Sequence, residues 1–106
     1  MKQNSIPQPQ LGAASALVQL LAENPDLPLA SWSIGEFTLH GHIHDASFAE
    51  LETYAQVLGG SIRPHGDFVL RGETVRPHYL HSMWRDVPVE VVVVLPAAAH
   101  TTAVAA

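Results

Sequence analysis

A chain of 106 residues, 47% hydrophobic and only 14% charged, makes one domain with enough apolar residues for a single core. Five Lys and Arg against ten Asp and Glu give a formal net charge of -5, which lacks the basic footprint of a nucleic-acid binder. No cysteine is present, so disulfides and thiolate metal sites are excluded, and no apolar run reaches the length of a membrane span.

Met1–Gln10 is polar and contains two prolines, so residues 1–10 are expected to be disordered, with no apolar stretch to serve as a signal peptide. From Leu11 to Glu23, Ala14, Leu17, Val18, Leu20 and Leu21 recur at a helical period. Asn24 is placed to cap this first helix and Pro25 to stop it. Trp32 and Ile34 alternate with serines as a short strand, and Gly35-Glu36 reads as a turn. Phe37, Leu39, Gly41 and Ile43 then alternate with Thr38, His40, His42 and His44 in a second strand. Ser47-x-x-Glu50 is a capping box that opens a second helix, with Phe48, Leu51, Ala55 and Leu58 on one stripe and Tyr54 beside it. Gly59-Gly60 ends that helix. Ser61–Arg71 is a third strand interrupted near Pro64-His65-Gly66, and Gly72-Glu73 is a turn.

The last element organises the rest. Six valines fall between Val87 and Val94, and Arg85-Asp86 is the two-residue turn of a β-hairpin running from about Val75 to Leu95. A turn there sets Trp84, Ser82, Leu80 and His78 opposite Val87, Val89, Val91 and Val93 on one face. The other face carries Met83 with Pro88, His81 with Glu90, Tyr79 with Val92 and Pro77 with Val94. The first face is the expected core, against the stripe of the second helix. The second is too apolar for open water, and either the first helix or a second subunit is expected to cover it through Tyr79, Met83, Val92 and Val94. The small-residue segment 97–106 is expected to be a flexible tail after a single domain over residues 11–96. The element order α-β-β-α-β-β-β predicts an α+β two-layer sandwich with a mostly antiparallel five-stranded sheet.

Three of the seven histidines form His40-Gly41-His42-Ile43-His44, which on a strand turns all three imidazoles to one face. Imidazole is the commonest neutral metal ligand, so zinc at His40, His42 and His44 is one reading, with His78, His81, Asp45 or Glu90 as further ligands and Gly41 admitting a close approach. Parity alone accounts for the triplet more simply: with Phe37, Leu39 and Ile43 in the core, the alternate positions face outward as surface or pH-sensitive interface histidines. His81, Ser82 and Asp86 are the residue types of a nucleophilic triad, but adjacent strand residues point to opposite faces. Trp32 and Trp84 read as core aromatics before ligand platforms.

The segments Ser31-Trp32-Ser33-Ile34, Leu39-His40-Gly41-His42-Ile43, Ala55-Gln56-Val57-Leu58-Gly59-Gly60 and Trp84–Val91 together resemble short uncharacterised proteins of actinobacterial chromosomes, phages and plasmids. That resemblance implies no activity, and the His triplet is not a fixed part of its pattern. The expectation is a small non-enzymatic interaction or accessory protein of the cytoplasm, a homodimer without nucleic-acid or membrane partners and without a cofactor. The alternative is a metal-dependent, hydrolytic activity at the His-x-His-x-His strand.

Overall fold

The computed structural model describes residues 9–44 and 47–97. Its elements are α1 (Pro9–Glu23), β1 (Ser31–Ile34), β2 (Leu39–Ile43), α2 (Phe48–Leu58), β3 (Ser61–Pro64), β4 (Phe68–Leu70), β5 (Glu73–Trp84) and β6 (Val87–Pro96). The fold is α+β, with a six-stranded mixed sheet in the order β1-β2-β6-β5-β3, and β4 in line with β3 along the same edge of β5. The expected third strand is thus two strands, because the ladder is interrupted at His65-Gly66-Asp67, just after Pro64. The sheet also differs from expectation in one pairing: β2 runs parallel to β6, Leu39 beside Val89 and Ile43 beside Val93, while all other neighbours are antiparallel. The segment expected to be disordered at 1–10 lies outside the described residues except for Pro9 and Gln10, which begin α1. Of the expected tail, Ala97 alone is described, and it is buried.

The hairpin has the expected register throughout, from Trp84 opposite Val87 to Pro77 opposite Val94. Its turn places Arg85 at φ 50° and Asp86 at φ 68°, the left-handed conformations of a type I′ turn, adopted here without glycine. A second tight turn, Arg71-Gly72, joins β4 to β5 one residue earlier than the pattern suggested, with Leu70 paired to Glu73. Arg85 is held by the Glu23 carboxylate at 2.6 Å and lies 5.0 Å from the centre of the Trp84 ring, which ties the hairpin tip to the end of α1.

Both helices pack on one face of the sheet. Trp84 Nε1 donates to the Ala16 carbonyl of α1 at 3.0 Å, and Ser82 Oγ donates to the Leu58 carbonyl of α2 at 2.8 Å. Trp84 and Ser82 are two residues apart on β5 and so share a face. Beneath the helices, Leu39, Ile43, Leu80, Val89, Val91 and Val93 form one cluster with Ala13, Ala16, Leu51 and Tyr54. The first helix therefore does not cover the second face, which was one of the two expectations for it.

The α2 capping box is formed: Ala49 N donates to Ser47 Oγ, and the Glu50 carboxylate accepts from Ser47 N at 2.9 Å. The buried stripe of α2 is shifted from the one expected. Tyr54 sits fully buried at its centre, its hydroxyl donating to the Pro28 carbonyl and its pKa pushed up by burial to about 12. Phe48 lies at the rim, edge-on to His78. Phe37, expected in the second strand and core, is 60% exposed in the loop before β2, where Gly35 N donates to Thr38 O.

Candidate functional site

The face opposite the helices is set by strand parity. Leu39, Gly41 and Ile43 turn inward, so His40 and His42 turn outward, and the parallel register puts Glu90 beside His40 and Val92 beside His42. The hairpin register adds His81 on the far side of Glu90 and Tyr79 beside Val92. Two rows result across the sheet: Ser33, His40, Glu90, His81 and Ser61 in one, and Ser31, His42, Val92, Tyr79 and Arg63 in the next.

In the first row, the Glu90 carboxylate lies between two imidazoles, 3.1 Å from His40 Nδ1 and 3.4 Å from His81 Nδ1. At the end of the second row, His42 and His44 have ring centres 4.2 Å apart with planes tilted by 31°. Ser31 Oγ lies 2.9 Å from His44 Nε2. Partial burial and, after it, the neighbouring His44 lower the pKa of His42, which favours its neutral form. On the other side of the face, the His65 ring lies 4.2 Å from Tyr79 and 6.2 Å from His81. His65 is brought there by its backbone N–H, which donates to Pro77 O at 2.9 Å.

These side chains surround two open troughs. One of ≈ 460 Å³ is lined by Ser31, Ser33, His40, His42, Tyr79 and Glu90, among others. The other, of ≈ 470 Å³, shares His42 and His44 with it and continues past Val94 to Arg71 and Glu73.

Several sequence-derived candidates fall elsewhere. His78 is on the helix face, 4% exposed, and cannot join the triplet on the opposite side of the sheet. Asp45 lies outside the described residues. Gly41 also faces inward: a Cβ there would come 2.9 Å from the Trp32 ring, so the glycine makes room for that ring, which in turn meets Tyr54 edge-on. Ser82 is bonded to Leu58 under α2 while His81 points the other way, so the nucleophilic triad does not assemble. Trp84 is likewise engaged, by Ala16 and Arg85.

Of the four residues expected at an interface, all are on the open face. Tyr79, Val92 and Val94 are half-buried and Met83 is 56% exposed. His65 and Ser31 were not singled out from the sequence. The interruption at Pro64-His65-Gly66 was visible, but not that it folds His65 back over Tyr79.

Chemically, the arrangement offers imidazole nitrogens, one carboxylate flanked by two imidazoles, and an apolar strip beside them. Among the described residues, no three His, Asp or Glu side chains converge as ligands for one ion. Among the described residues, no helix is long and apolar enough to cross a membrane. No family model, curated protein or solved structure matches the chain.

Proposed function

We propose that this chain is a small non-enzymatic interaction module, cytoplasmic by default, that forms a homodimer through the open face of its sheet. In this reading each chain is a two-layer sandwich of helices on a sheet, and a second copy covers the other face of the sheet. The observation that carries it is the placement of both helices on one face, which leaves Tyr79, Met83, Val92 and Val94 on the other, where among the described residues neither helix reaches. Aromatic, Met and aliphatic residues with few charges suit an interface centre, and a two-fold axis needs only one such surface used twice. The test is mass in solution by sedimentation: wild type runs as a dimer and Val92→Glu as a folded monomer. A wild type that stays monomeric at high concentration overturns the reading.

A second reading, metal-dependent hydrolysis at His40, His42 and His44, is favoured by the Glu90 carboxylate beside His40 and His81, which would serve as a proton acceptor. It is the weaker one, since a catalytic zinc takes three protein ligands and an open position. Its test is hydrolysis of model esters and phosphodiesters with added zinc, and activity that survives His42→Ala removes it.

A further inference from the structure

The geometry points to a metal site shared between two copies: His42 and His44 form a two-imidazole half-site for a divalent transition ion of the zinc class, and the same pair from a second chain completes it. The second copy is taken from the self-association reading above, on which this inference rests.

His42 on β2 and His44, one residue past its end, have ring centres 4.2 Å apart. A common zinc would take one nitrogen from each ring at about 2.0–2.1 Å. His42 is held on both sides, since β2 is flanked there by β1 and β6, and His44 follows the end of that strand by one residue. Ser31 adds a feature typical of ligating histidines, whose second ring nitrogen is held by a hydrogen bond that fixes tautomer and orientation. In the tautomer whose Nε2–H donates to Ser31 Oγ, His44 Nδ1 carries the lone pair.

The stoichiometry follows from what one chain lacks. A closed tetrahedral zinc site takes four nitrogen or sulfur ligands, whereas among the described residues no third ligand joins this pair. A two-fold axis doubles two ligands to four without any new residue type. The pair is also well placed for it: His42 sits beside Val92, and His44 shares a trough with Val94, both in the apolar strip assigned to the interface. An axis lying in the plane of the face alongside β2 and β6 would serve the strip and the ion together.

The test uses the full chain without a polyhistidine tag and zinc ion alone as the probe. Calorimetric titration is expected to give one zinc for two chains, and sedimentation to show dimerisation tightened about tenfold or more by zinc and reversed by chelator. His44→Asn and His42→Gln, each checked for native circular dichroism, should abolish the zinc effect. His44 is exposed, so its replacement leaves the fold intact even if that of the half-buried His42 does not. One zinc per chain with unchanged mass, no zinc uptake, or uptake that survives both substitutions each overturns the shared site. A dimer indifferent to zinc leaves the self-association reading standing and removes this one. A zinc-dependent dimer unaffected by Val92→Glu does the reverse.

Discussion

On β6, Val91 and Val93 are completely buried beneath the helices, while Val92 and Val94, between and beside them, look out the other way and remain half-buried. The two faces of the same strands are filled by different means. The helix side is closed from within the chain, by the Leu51–Tyr54 surface of α2 and the Ala13–Ala16–Leu20 surface of α1, with Trp84 and Ser82 anchoring helix carbonyls. The open side is built of imidazoles, one glutamate and an apolar strip, arranged in rows that no single element explains. One residue type thus has two meanings within four positions: stability where the chain closes on itself and, in the proposed dimer, assembly where it does not.

Substitutions at neighbouring valines break that comparison most directly. Val91→Asp places an unpaired charge in the core and should remove more than about 4 kcal/mol, enough to leave the domain unfolded by circular dichroism at 25 °C. A well-folded Val91→Asp protein would mean the faces are assigned the wrong way round. Tyr54→Phe keeps the ring but strands the Pro28 carbonyl, and should lower unfolding free energy by about 1–2 kcal/mol in urea titration. An unchanged midpoint would show that the buried ring alone holds α2. On the open side, the proposed dimer predicts that Val92→Glu halves the mass in sedimentation while shifting monomer stability by less than about 0.5 kcal/mol.

The smallest effect concerns the α2 cap. The Ser47 hydroxyl and backbone N–H, both donating to Glu50, hold its carboxyl below its ordinary value. The unfolded chain therefore takes up that proton first. The cap's contribution is full above the ordinary carboxylate range, near pH 4–5, and drains away as pH falls through the lowered native value. Glu50→Gln should make the melting temperature less dependent on pH over that window, and parallel curves for the two proteins would dismiss the cap as a source of acid sensitivity.

The hairpin was legible pair by pair because valine alternation and a two-residue turn are local facts, and the turn fixes the register of everything that follows it. The α2 cap was legible for the same reason. What the sequence did not disclose is non-local. That β2 lies beside β6, in parallel, depends on residues 50 positions apart, and without it the His40–Glu90–His81 row cannot be foreseen even though each member was noticed. Tyr54 was set beside the helical stripe, and it sits at the centre with a loop carbonyl, Pro28 O, there to accept from its hydroxyl. Phe37 failed in the opposite sense: alternation continued through it, but the ladder of β2 begins only at Leu39.

The position of β6 has a consequence for how the chain reaches this structure. It is the last strand in sequence, yet it is the middle of the sheet, with β2 on one side and β5 on the other. Before residues 87–96 are in place, β1–β2 and β3–β4–β5 are two separate ribbons with a shared surface and no hydrogen bonds between them. During synthesis from the N-terminus, both halves must wait with their inner edges unpaired until the valine strand slides between them. The protein should accordingly fold only after the hairpin has left the ribosome, at a rate governed by loop closure between distant segments, and the waiting ribbons are its period of greatest exposure to aggregation.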